Sequence, residues 1–114
     1  MEYRPDMQQM HAKTMKSLHD CAMMCEHMCM MLLEKPDIQS RKVQLNLLRD
    51  CADICELCMK YMARHSMYSK SLCHTCSFIC DACAKECLKY TDHESQMCAQ
   101  MCMECAKDCR NYAM

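Results

Sequence analysis

The sequence predicts an all-α protein, an antiparallel up-down-up-down four-helix bundle with a cysteine-lined core. Three observations predict it. First, the fifteen cysteines fall in four clusters, and every step inside a cluster is three or four residues. Residues at that spacing lie above one another on one face of an α-helix, so each cluster is a stripe of thiols. Second, the chain contains no glycine and only two prolines. That is unfavourable for tight β-turns and favourable for long helices. Third, the breaks between periodic segments are short, and short connections force neighbouring helices antiparallel. A chain of 114 residues is one domain by length, 1–114.

The first helix is expected over Asp6–Leu33, carrying Cys21, Cys25 and Cys29. Pro36, in Glu34-Lys35-Pro36-Asp37, should end it. The second is expected over Ile38–Arg64 with Cys51, Cys55 and Cys58, its stripe continuing into Met62 and His65. A break near His65-Ser66-Met67-Tyr68-Ser69 precedes a third helix over Ser69–Tyr90. That helix carries Cys73, Cys76, Cys80, Cys83 and Cys87 in an a/d heptad pattern. At 1.5 Å per residue its stripe covers about 21 Å of axis. Thr91 or Asp92 can cap a fourth helix, Glu94–Asn111, with Cys98, Cys102, Cys105 and Cys109.

The composition limits what the core can be made of. Nine Leu, three Ile, one Val and one Phe are few for a folded domain, while sixteen Met and fifteen Cys replace the missing volume. A buried Cys packs like a small hydrophobe, and Met fills irregular gaps. An a/d pattern by itself describes a coiled-coil core. It leaves unexplained why cysteine holds almost every seam position, where Leu would be more stabilising. A disulfide framework is disfavoured: the cysteine count is odd, the spacings are strictly helical, and a reducing compartment keeps thiols free.

Charge and hydropathy exclude other classes. Fourteen Lys and Arg balance fifteen Asp and Glu for a net charge of −1, with no basic block, which argues against nucleic acid. No stretch approaches the length of uncharged apolar sequence that spans a membrane. Met1-Glu2-Tyr3-Arg4-Pro5-Asp6 lacks a charged-then-apolar signal pattern, so the expected location is cytoplasmic.

Seven cysteine pairs sit at i, i+4, close enough for two thiolates of one helix to meet one metal ion, and four pairs at i, i+3 can link one site to the next. Soft thiolate and thioether ligands select Cu(I) first, with zinc and iron–sulfur clusters as competitors. Zinc prefers a four-ligand tetrahedron, and iron–sulfur clusters want cysteines wrapped from loops. Fifteen buried thiolates need cations to neutralise them, whereas neutral thiols can stay buried without metal. The expected cargo is therefore Cu(I), multiple ions per chain. In an antiparallel bundle, Met7, Met10, His11, Met15, Met62, His65, Met67, His74 and Met114 gather at one end. Leu32, Leu33, Val43, Leu45, Leu47, Leu48 and Leu88 gather at the other. The first end reads as a metal mouth, with Met10, His11, Met62, His65 and His74 as accessory ligands, and the second as a greasy plug. His19, His27 and His93 lack that context and read as surface residues.

The segments Cys51-Ala52-Asp53-Ile54-Cys55, Cys80-Asp81-Ala82-Cys83-Ala84-Lys85-Glu86-Cys87 and Cys98-Ala99-Gln100-Met101-Cys102-Met103-Glu104-Cys105-Ala106-Lys107-Asp108-Cys109 resemble the bacterial copper storage protein (Csp) family. The resemblance extends over nearly the whole chain. It implies a four-helix bundle holding many Cu(I) ions on inward cysteines, without catalysis. The implied partners are copper ions, a copper chaperone or cuproenzyme recipient, and further copies of the chain in a homo-oligomer such as a tetramer. The family has an exported and a cytosolic branch, and the sequence favours the cytosolic one. The Met- and His-rich segment Met7 to Met31 departs from the family. Two other readings are a zinc or mixed-metal, metallothionein-like protein and, more weakly, a thiol redox protein. A redox CxxC belongs at a helix N-terminus in a βαβ context, and no strand is expected.

Overall fold

The computed structural model describes residues 5–114, with side chains from residue 7 onward. Four of the six residues read above for a signal pattern, 1–4, lie outside the described residues. Four helices follow in order: α1 Pro5–Leu33, α2 Lys42–Ala63, α3 Ser69–Cys87 and α4 His93–Ala113, with no strand among the described residues. A short 3-10 helix, Ile38–Arg41, precedes α2. Each helix packs on its neighbours around a ring, and α1 against α4 closes it. The result is the up-down-up-down bundle that the stripes require, 55 Å long and 18–19 Å wide.

The seam of each helix extends its thiol stripe in both directions. In α1 the buried positions run Thr14, Leu18, Cys21, Cys25, Met28, Leu32, and in α2 they run Gln44, Leu48, Cys51, Cys55, Cys58, Met62. In α3 they run Ser69, Cys73, Cys76, Cys80, Cys83, Cys87, and in α4 Ser95, Cys98, Cys102, Cys105, Cys109. The steps alternate three and four, the 3.5-residue repeat of bundle packing. Sulfur thus fills the middle of the bundle, and oxygen, nitrogen or larger apolar groups close its two ends.

The helix termini show how a glycine-free chain stops and starts. Asp92 caps α4, its carboxylate accepting from the Ser95 backbone N–H at 3.0 Å. At the end of α2, Ser66 N–H donates to Tyr61 C=O at 2.9 Å and His65 N–H to Met62 C=O at 3.0 Å. That is the Schellman pattern, whose left-handed position normally holds glycine. Here His65 occupies it with φ 52°. A non-glycine residue in that region costs about 1–2 kcal/mol. The helix end thus spends backbone strain to hold an imidazole at one place.

A buried polar contact locks α1 to α4. Asp108 is 3% exposed. Ser17 donates to its carboxylate, Lys13 pairs with it at 3.4 Å, and Thr14 donates to its carbonyl at 3.5 Å. The carboxylate is therefore paired, as burial of a charge demands.

Candidate metal centre

All fifteen cysteines are free thiols, and all but Cys29 are buried. Most short sulfur contacts cross between helices rather than run along one. Cys51 and Cys80 Sγ are 3.5 Å apart, Cys21 and Cys51 3.7 Å, Cys55 and Cys76 3.7 Å, Cys21 and Cys102 3.8 Å. Cys25–Cys102, Cys55–Cys80 and Cys55–Cys105 are each 3.9 Å. Within a helix, Cys76 and Cys80 meet at 3.8 Å. Of the seven i, i+4 pairs inferred from spacing, Cys76 and Cys80 touch, and Cys21/Cys25 and Cys105/Cys109 lie within 4.8 Å; contacts across the axis join the stripes into one column.

Two sets of four sulfurs lie mutually within 4.8 Å. One is Cys21, Cys55, Cys80 and Cys105, which takes one thiol from each helix. The other is Cys21, Cys25, Cys51 and Cys102. Cys21 belongs to both, so a sulfur at that position can bridge ions in adjacent sets. Cys76, Cys105 and Cys109 form a third set, joined to the first through Cys105.

Hydrogen bonds with Cys105, Cys21, Cys51 and Cys76, together with burial, push Cys55 up, and its neighbour Cys80 is raised in the same way. Cys73, beside the mouth, moves the other way. S–H donors from Cys109 and Cys58 bring it to about 4 against the cost of burial, with His11 adding a smaller lowering. An ionised sulfur in such a column is sheltered by neighbours that must themselves keep their protons. Monovalent soft cations replacing those protons remove the conflict.

Cys29 departs from the expected column. Strict four-residue steps from Cys21 advance about 40° each around the helix, so by Cys29 the stripe has left the seam, which passes through Met28 instead. Cys29 is half-exposed, and burial followed by Glu26 pushes its thiol up to about 11.

At the end formed by the start of α1 and the end of α2, His11, Met62 and His65 come together. Met62 is fully buried over the column, its thioether sulfur 3.7 Å from Cys73 Sγ. His11 Nε2 donates to the Met62 carbonyl at 3.2 Å. A carbonyl only accepts, so that nitrogen carries a proton. The rings of His11 and His65 stack with centroids 5.4 Å apart, and Tyr112 stands edge-on to His11 at 6.1 Å. Met10, 40% exposed, lines a shallow groove with Met7, Lys70, Tyr112 and Met114. His74 does not join this group. One residue past Cys73, it is rotated about 100° off the seam and lies exposed at the edge of Phe78, 5.0 Å between centroids.

The opposite end corrects the expectation of a greasy plug. Leu32 and Leu48 are buried, but Leu33, Val43 and Leu88 are exposed. The seal is polar. The 3-10 helix turns Arg41 inward, where Nε donates to Asp37 at 2.8 Å and Nη1 to Asp92 at 2.8 Å. The same Nη1 reaches Gln44 Oε1 and Ser95 Oγ at 3.4 Å each, and the guanidinium lies 4.3 Å over the Tyr90 ring. Gln44, fully buried, donates through Nε2 to Ser95 Oγ at 2.9 Å and to Cys87 Sγ at 3.5 Å. Burial alone would raise the Asp92 carboxyl; hydrogen bonds from Ser95 and Arg41 hold it at about 2 instead. The signal was present in the sequence: stepping back from Cys51 by three, four and three reaches Leu48, Gln44 and Arg41.

A helical bundle with buried thiols along its axis, Met and His side chains at one end and a polar seal at the other defines a protein suited to hold thiophilic metal ions. A sequence model of the copper storage protein family, Csp, matches residues 7–114, and the chain belongs to that family. It is 36% identical over 107 residues to the uncharacterized cysteine-rich protein YhjQ of Bacillus subtilis, covering 94% of this chain and 99% of that one. It is similar to the Cu(I)-bound copper storage protein BsCsp3 of Bacillus subtilis, 34% identical with TM-score 0.88, covering 92% of this chain and 99% of that one. It shares its fold with a cytosolic copper storage protein from Streptomyces lividans, 22% identical with TM-score 0.91 over 96% of this chain and 97% of that one.

Proposed function

We propose that this protein stores Cu(I), many ions per chain, on the inward thiolates of its bundle. The observation that carries the reading is the sharing of Cys21 between the two four-sulfur sets and of Cys105 between the first of these and the three-sulfur set. Isolated tetrahedral zinc sites need no shared ligand, whereas a string of low-coordinate Cu(I) ions needs bridging sulfur. The likeness to a protein solved with Cu(I) bound supports the same cargo. Stored copper is thereby kept from free solution and can be released to a copper chaperone or a cuproenzyme. The storage role requires no catalysis. Free thiols packed within 4 Å of one another persist only where they stay reduced, which supports a cytosolic location, and no described helix is long and apolar enough to cross a membrane. Assembly into a homo-oligomer such as a tetramer belongs to the same proposal.

The ligand set is Cys21, Cys25, Cys51, Cys55, Cys58, Cys73, Cys76, Cys80, Cys83, Cys87, Cys98, Cys102, Cys105 and Cys109, with Cys29 at the margin. Met10, His11, Met62 and His65 form the mouth, Met62 handing the ion to Cys73; His74 is peripheral. Titration of the reduced protein with Cu(I) against a competing chelator tests the reading. The expected end point is on the order of one ion per cysteine, because soft thiolates select Cu(I). Saturation at one or two ions, or Zn(II) competing equally, would replace storage of copper with a zinc or mixed-metal role.

A further inference from the structure

The thiol column leaves unexplained a second periodicity in α1. Met7, His11, Met15, His19, Met23, His27 and Met31 alternate thioether and imidazole at strict four-residue steps. The run spans about 36 Å of helix at 1.5 Å per residue, and it uses three of the chain's six histidines. Core packing does not account for it. Met7 is 55% exposed, Met23 45%, and the His19 side chain 61%, while His27 is also exposed. An exposed methionine hides little apolar surface, and a surface helix face ordinarily carries charge.

Its placement relative to the thiols is fixed by helix geometry. His19 and Met23 are each two residues from Cys21, about 200° around the axis, so the ladder lies opposite the thiol stripe. The ladder advances about 40° per step against a seam that repeats every 3.5 residues, so it faces outward over His19, Met23 and His27 and winds toward the bundle at either end. Met15 and Met31 lie half-buried at the two edges where the ladder crosses onto the flanks of the bundle. Toward the helix start the ladder arrives at His11, which stacks on His65 and bonds to the Met62 backbone above Cys73.

We propose that this ladder, winding along α1, is a chain of weak Cu(I) sites, each a thioether–imidazole pair at i, i+4, leading along the helix to the mouth. Residues four apart bring their Cβ atoms within about 5–6 Å, so one sulfur and one imidazole nitrogen can meet one ion. The thioether is a soft donor and imidazole suits copper, and neither adds charge to the ion. Met23 is shared by His19 and His27. An ion can pass from one pair to the next by exchanging a single ligand, keeping its charge and oxidation state. Thiolates at the column bind more tightly, so transfer runs inward.

This inference takes Cu(I) as the cargo and is tested apart from the store. Full-length protein carrying 13C-methyl methionine is titrated with the Cu(I)–acetonitrile complex, anaerobically. Thiolate-to-copper absorption reports filling of the column, and the titration continues past its plateau. The ladder predicts that the Met23 methyl and the His19 and His27 imidazole resonances then shift together with one midpoint. In Met23→Leu, the apparent affinity at both imidazoles should fall roughly tenfold, the loss of one ligand, while the absorption plateau is unchanged. Imidazole shifts indifferent to Met23→Leu, or none at all, overturn the ladder. Absence of the absorption plateau overturns the store and leaves the methyl readout intact.

Discussion

Arg41→Ala is expected to destabilise the reduced, metal-free protein by about 3 kcal/mol. The guanidinium is 8% exposed, with Asp92 16% and Asp37 48% exposed. Removing one partner of a buried pair costs about 3–5 kcal/mol, because it leaves the other charge uncompensated. Asp37 can return to water, and Asp92 keeps its cap from Ser95, which places the loss at the lower bound. For a domain of this size about 4 °C accompanies each kcal/mol, so the melting temperature should drop about 12 °C. Urea unfolding followed by far-UV circular dichroism measures it, with an unchanged denaturant slope expected if the unfolded state is unaltered. Arg41→Met combined with Asp92→Asn should be less harmful than the sum of its parts. Asn retains a capping oxygen and carries no charge, so the coupling should be about 1–3 kcal/mol. A loss below about 0.5 kcal/mol for Arg41→Ala, the range of an ordinary surface substitution, or strict additivity in the double variant, would refute a polar seal.

Four further outcomes are expected. His65→Gly relieves the φ 52° strain and should leave stability equal or higher by up to about 1 kcal/mol, yet slow Cu(I) uptake in stopped flow; slower uptake accompanied by a lower melting temperature would mean that the imidazole is structural. Replacing Met10, Met62 and His65 with Leu should slow uptake and leave capacity nearly unchanged. Slowing produced instead by Leu47→Ala with Leu48→Ala would place the mouth at the other end. Asp92, held at about 2 against about 3.9 unfolded, contributes stability that is fully present above about pH 5 and lost as pH falls through 2; acid titration of Arg41→Ala should show a shallower loss over that window. The reduced apo protein should already be strongly helical by circular dichroism, since neutral thiols pack as hydrophobes; a coil that folds only with metal would indicate a metal-nucleated domain.

Four helices, their order and their inward faces were legible from the cysteine steps, because a ligand column repeats the same periodicity that packs a bundle. Asp92 was legible as a cap for the same local reason. What escaped was whatever depended on the drift between a four-residue step and a 3.5-residue seam. Cys29 continues its cluster numerically but has rotated off the axis, so Met28 takes its place. His74 lies at the expected end but on the wrong side of α3. The Leu-rich end misled because Leu33 and Leu88 are exposed and Leu32 and Leu48 alone of its leucines are fully buried, while Arg41 and Gln44, polar residues on the seam itself, do the sealing. Asp108 was hidden in a run of cysteines, and only the facing Thr14 and Ser17 on α1 reveal why a carboxylate is buried there.

The two ends of the bundle are mechanically unequal. At one, a guanidinium ties the α1–α2 connection, α2 and the head of α4 into a single cross-braced node. At the other, α2 finishes on a strained residue, and Asp108, with Ser17 and Lys13, ties α1 to α4 alone. Local opening is cheapest where few buried contacts resist it, so the bundle should breathe like a tube stitched shut at its base. On the proposed path copper would enter and leave by the same end, so the sulfur of Cys87, bonded to Gln44 at the base, stands farthest from exchange.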